Sequence, residues 1–102
     1  MSIKKQYLKS RPICRVTFKV DAETANNATQ MSLVGDFNQW NEKAHEMKAN
    51  KDGTFTLTLD LETGREYQFR YLADGHIWLN EFDVDKMVQS SFYDAQNSVI
   101  VL

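Results

Sequence analysis

The chain has 102 residues, 42% of them apolar and 25% charged, with a formal net charge of −2 and an isoelectric point near 5.6. That length supports one domain with a single core and leaves no room for an added catalytic domain. The charge balance excludes a basic field able to hold a nucleic-acid backbone or an anionic membrane, and no stretch approaches the roughly 18 apolar residues of a membrane span.

Residues 1–12, MSIKKQYLKSRP, are polar and basic, end in Pro12 and read as a flexible N-terminal arm. They lack the apolar run of a secretory signal. Cys14, Val16, Phe18 and Val20 then alternate with Arg15, Thr17 and Lys19, the pattern of a half-buried strand. Cys14 is the single cysteine, so no internal disulfide can form. It is expected to be a small buried thiol, and the chain is expected to be cytoplasmic. Residues 21–30, DAETANNATQ, show no apolar period and read as a loop; 31–36 read as the next strand. The polar stretch 41–50 has Met47 tucked inward, and Asp52-Gly53 signals a hairpin turn.

Residues 54–61 carry the clearest pattern, with Phe55, Leu57, Leu59 and Leu61 inward and Thr54, Thr56, Thr58 and Asp60 outward. Gly64 ends a turn, 65–73 form another strand, and Asp74-Gly75 reverses the chain into 76–81. DVDKM, 83–87, reads as a single helical turn, and 98–102 close the chain as a strand. About seven short strands separated by turn signals predict an all-β fold. The expected form is an immunoglobulin-like antiparallel β-sandwich spanning 13–102 as a single domain.

Two segments, SLVGDFNQW (32–40) and YQFRYLADGHIW (67–78), each run through an apolar alternation and a turn to a tryptophan, and Trp40 and Trp78 are the only two in the protein. A tryptophan at the edge of a loop is an aromatic platform, the surface needed by the apolar face of a pyranose ring. By residue type alone each candidate has a plainer role. A tryptophan anchors a core, Arg70 covers a sheet with its stem, Asn97 opens a strand from a turn, and Tyr93 packs.

VGDFNQW (34–40), DGTFTLTLDL (52–61), GREYQFRYLADGHIW (64–78) and NSVIVL (97–102) resemble, in order and spacing, the glycogen- and starch-binding modules of carbohydrate-binding family 48. These include early-set domains ahead of isoamylases and α-glucan branching enzymes, and the glycogen-binding domain of the AMP-activated protein kinase β subunit. The resemblance implies α-1,4-glucan binding without catalysis. It implies sugar contacts from Trp40, Arg70, Trp78 and Asn97, with Tyr93 at a position that packs against the sugar. Two features depart from the family pattern. Phe82 stands where a proline is frequent, and two residues rather than one separate the Asp-Gly turn from Trp78.

The hairpin at 74–75 has two readings. A two-residue loop pairs Ala73 with His76 and sets Tyr71 opposite Trp78, on the face away from Arg70. A three-residue loop, 73–75, pairs Leu72 with His76 and sets Arg70 opposite Trp78. The second is preferred because it builds a site: Trp78 offers a flat face, Arg70 a fork of donors, and Asn97 a donor and an acceptor.

No metal site is expected from His45 and His76, nor calcium binding from Glu81, Asp83 and Asp85. No cofactor motif is present, and a sandwich of this size offers no cleft for two hydrolytic carboxylates. The expectation is a non-catalytic module for glycogen, starch or maltooligosaccharide, with a glucan-metabolising enzyme as a further partner. The alternative is a protein-interaction module that docks such an enzyme, or a kinase, in trans.

Overall fold

Period-two alternation becomes strands wherever one face can be buried. The computed structural model describes residues 2–90 and 95–102. Its strands are β1 (Ile3–Tyr7), β2 (Ile13–Val20), β3 (Met31–Gly35), β4 (Lys48–Ala49), β5 (Phe55–Glu62), β6 (Glu66–Ala73), β7 (Ile77–Leu79), β8 (Lys86–Gln89) and β9 (Gln96–Val101). They form two antiparallel sheets, one ordered β1-β2-β5-β4 and the other β3-β6-β9-β8, with β7 also paired to β6. The molecule is an all-β sandwich, as expected.

The core lies between the sheets. Cys14, Val16, Phe18 and Val20 from β2 face Met31, Leu33, Tyr67, Phe69, Tyr71 and Ile100 from the second sheet. Phe69 sits at its centre, edge-on to Phe18 at 5.2 Å and to Tyr71 at 5.7 Å. Leu57 and Leu59 are only partly buried against this core, whereas Phe55 and Leu61 are buried.

Three expectations are corrected. The flexible arm of residues 1–12 is in part strand β1, in register with β2 from Ile3↔Phe18 to Tyr7↔Cys14. Its polar sequence hid it because only Ile3 is buried, and lysines are common on exposed sheet edges. The loop 21–30 contains one helical turn, Ala22–Ala25, capped when Asp21 Oδ1 accepts the Thr24 N–H at 2.7 Å. The helical turn expected at 83–87 is absent, and Lys86 and Met87 open β8 against β9. Asp85 binds across the sandwich instead, accepting from the Val101 N–H at 2.7 Å and from Lys5 Nζ at 2.6 Å.

Candidate functional site

The β6–β7 hairpin takes neither expected register. Tyr71 pairs with Leu79, Leu72 with Trp78 and Ala73 with Ile77, so the loop is Asp74, Gly75 and His76. The preferred register set Arg70 directly opposite Trp78, and that is corrected to Leu72. The two registers differ by two residues, and a two-residue shift preserves the face. Trp78 therefore still shares the outward side of the sheet with Arg70, as its diagonal neighbour.

Contacts remote in sequence select this loop. Asp74 Oδ1 accepts the N–H and hydroxyl of Thr29 and the N–H of Gln30 at 2.8–2.9 Å, while the Asp74 N–H donates to the Gln30 carbonyl at 3.0 Å. Those bonds, led by the Gln30 N–H, hold the Asp74 carboxyl below its ordinary value. They also stabilise its left-handed φ of 52°, followed by Gly75 at 76°, and the His76 N–H closes on the Ala73 carbonyl at 3.1 Å.

The Arg70 guanidinium carbon lies 5.4 Å from the centroid of the Trp78 ring, a cation–π arrangement. No carboxylate pairs with Arg70 among the described residues, and its Nε is buried with no hydrogen-bond partner. Burial lowers the guanidinium below its ordinary value, yet an arginine remains charged. Trp78 is 38% exposed. Beneath the pair the outward face is apolar. Val34 pairs with Arg70, Leu72 with Trp78, and Val99 with Gln68, and all three aliphatic side chains are buried outside the inter-sheet core.

Trp40 comes from the other side of β6. After β3 the chain makes a 3-10 turn, Asp36–Asn38, then two left-handed residues, Gln39 (57°) and Trp40 (58°). Phe37 anchors the turn against Phe18, Tyr67 and Phe69. Asn38 Oδ1 accepts the Gly35 N–H at 3.1 Å, and its Nδ2 donates to the Leu33 carbonyl and lies 2.9 Å from His45 Nδ1. The Trp40 N–H closes on the Gly35 carbonyl at 2.9 Å. Its indole N–H donates to Asp36 Oδ1 at 2.9 Å, while Asp36 Oδ2 accepts the Gln68 N–H at 2.8 Å.

Trp40 and Trp78 thus flank β6 on opposite sides, one tied near Gln68 and the other opposite Leu72. Four residues of strand, about 13 Å, separate those two points. Asn97 is the second residue of β9 and 6% exposed, and its Nδ2 donates to Gln68 Oε1 at 3.0 Å. Tyr93 lies outside the described residues. Sequence reasoning passed over Asp36 and Gln68. Gln68 shares the parity of Arg70, so alternation alone was a signal for it. Asp36 has no comparable signal for its tie to β6, because the bond from the Gln68 N–H joins residues 32 apart, although its bond to Trp40 spans only four.

Other chemistry is sparse. Among the described residues no cluster of three or more His, Cys, Asp or Glu side chains is placed to hold a metal. Cys14 is buried, and burial pushes its thiol up, away from the reactive thiolate. No helix among the described residues is long and apolar enough to cross a membrane.

The fold is that of a β-sandwich module. Residues 13–85 match the family Carbohydrate-binding module 48 (Isoamylase N-terminal domain), and the chain belongs to that family, one of non-catalytic modules. It is similar to the 1,4-alpha-glucan branching enzyme GlgB 2 of Xanthomonas campestris pv. campestris, 35% identical over 78 residues, 74% of this chain and 10% of that protein. The 1,4-alpha-glucan-branching enzyme of Candida glabrata is 52% identical over 44 residues, 41% of this chain and 6% of the relative. The 1,4-alpha-glucan branching enzyme GlgB of Photobacterium profundum is 38% identical over 60 residues, 58% of this chain and 8% of the relative. The chain thus spans a tenth or less of the length of these curated relatives.

Proposed function

We propose that residues 13–102, with β1 as an integral edge, form a single module that binds α-1,4-glucan chains without transforming them. The carrying observation is the Arg70 guanidinium lying against Trp78 with no carboxylate partner among the described residues. An indole face takes the apolar side of a pyranose, and guanidinium N–H groups donate to its hydroxyl and ring oxygens without needing a charged ligand. Trp40 takes a second ring of a curved chain, and Asn97 supports the hydroxyl contacts. Tyr93 belongs to the proposed site by resemblance alone. Glycogen, starch and maltooligosaccharides are the ligands this reading implies. An open site of this kind binds weakly, at about −8 to −4 kcal/mol, and multivalent glucans raise the apparent affinity. We also propose a cytoplasmic location and a glucan-metabolising enzyme as partner.

Native electrophoresis with and without glycogen, on the wild type and Trp78→Ala, tests the reading. Retardation of the wild type that Trp78→Ala abolishes supports it; an unretarded wild type overturns it. The second reading, protein docking, draws on one observation: Phe82 is 76% exposed beside the site-bearing hairpin. Large exposed aromatics are a feature of protein interfaces. It predicts no response to glucan and loss of partner capture in Phe82→Ser.

A further inference from the structure

The amide of Asn97 is directed into the protein surface rather than out of it. Its bond to Gln68 Oε1 joins two side chains on the outward face, Asn97 nearly buried and Gln68 half-buried. Among the described residues, that one N–H···O bond leaves one carbonyl and one NH2 group of the two primary amides uncommitted, whichever residue is the donor. Each amide carries one acceptor oxygen and two donor hydrogens, so exchanging O and N in both leaves the same sum. Gln68 is also well fixed. Its backbone N–H is held by Asp36, which holds the Trp40 indole, and it precedes by two residues the Arg70 that lies against Trp78. A chain that spans from one tryptophan to the other crosses Gln68.

We infer that Gln68 is a hydroxyl-contacting residue of this site, whose amide hydrogens donate to a sugar hydroxyl while its oxygen is held by Asn97. The inference rests on the glucan-binding reading above and extends it to a residue that neither motif nor resemblance singled out. Asn97 becomes the positioning residue of the pair, because its own amide is committed to Gln68.

The test is a titration of the 15N-labelled full chain with maltoheptaose, alongside Gln68→Glu and Gln68→Leu. Gln68→Glu keeps an oxygen for the Asn97 N–H but has no donor hydrogens; its carboxylate can also engage Arg70 on the same face, so its loss of affinity is read together with Gln68→Leu and the wild-type side-chain signals. The expected result is that the Gln68 side-chain NH2 signals, identified by their absence in Gln68→Glu, shift on binding. Both variants are expected to bind about tenfold more weakly. Unmoved Gln68 signals with saturable wild-type binding, or Gln68→Glu binding within about twofold of wild type, overturn the inference and leave the glucan reading standing. A wild type that does not bind removes both. Should Gln68→Leu fail to fold, the wild-type signals and Gln68→Glu decide.

Discussion

Asp36 accepts the indole N–H of Trp40 at 2.9 Å. Its other oxygen holds the Gln68 backbone, so one exposed carboxylate couples the loop that carries Trp40 to strand β6. An indole free to rotate on a loop loses conformational freedom on binding, whereas one already oriented does not. Asp36→Ala is therefore expected to weaken glycogen retardation about fivefold, the equivalent of one modest hydrogen bond. Asp36→Asn keeps an acceptor for the indole and should retain most of the binding. Quantitative affinity gels across a glycogen series measure both.

Arg70 predicts an opposition between stability and binding. Its buried Nε has no partner among the described residues, and an unsatisfied buried donor costs about 1–3 kcal/mol. Arg70→Met keeps an apolar stem over Val34 and Leu72 and removes that donor. Its thermal midpoint should equal or exceed that of the wild type, while maltoheptaose affinity falls about tenfold. Calorimetry reads both quantities, and a variant that loses stability in step with affinity contradicts the assignment.

Gly35 is needed for close approach rather than for its own dihedrals, since its φ of −175° is ordinary extended backbone. A Cβ there would lie 2.5 Å from the Gln68 carbonyl oxygen and 2.7 Å from Phe69 Cβ, atoms that cannot swing away. Gly35→Ala is expected to destabilise the domain by about 3 kcal/mol through overpacking, read as a lower midpoint in urea. It should also disturb Trp40, whose N–H closes on the Gly35 carbonyl.

Glu81 gives the domain a pH signature. Its carboxylate is buried and accepts the Tyr71 hydroxyl at 3.0 Å and the Asp83 N–H at 3.2 Å. Burial raises its pKa above the ordinary 4.5, and the same burial, with the facing Glu81 charge, lifts the Tyr71 hydroxyl far above its usual value. A carboxyl with a raised folded pKa keeps its proton in the native state while the unfolded chain is already ionised. Its contribution therefore falls as pH rises from 4.5 through the raised value and is level outside that window. Thermal melts of wild type and Glu81→Gln across this range should diverge, the wild type gaining relative to the variant as pH falls. Parallel curves would mean that Glu81 titrates alike in both states.

Much of this architecture was legible in the sequence because burial on one face leaves a period of two. The run from Phe55 to Leu61 and the aromatic series Tyr67, Phe69 and Tyr71 marked β5 and β6 directly. β1 was missed because an edge strand with one buried residue has almost no period to detect. The helical turn read at 83–87 failed because Asp85 finds partners on β1 and β9, at separations of 80 and 16 residues.

For the site, the sequence by itself determined the strand parity that sets Gln68, Arg70 and Leu72 on one face, and the two tryptophans at the ends of turns. The tertiary structure alone decided which residue faces Trp78. The hairpin register depends on Asp74 reaching Thr29 and Gln30, 45 and 44 residues away. It also decided that Asn97 serves Gln68 rather than solvent. Alternation is a local consequence of strand geometry and can be read residue by residue, whereas a hydrogen bond between distant segments exists only once the fold has brought its two groups within 3 Å.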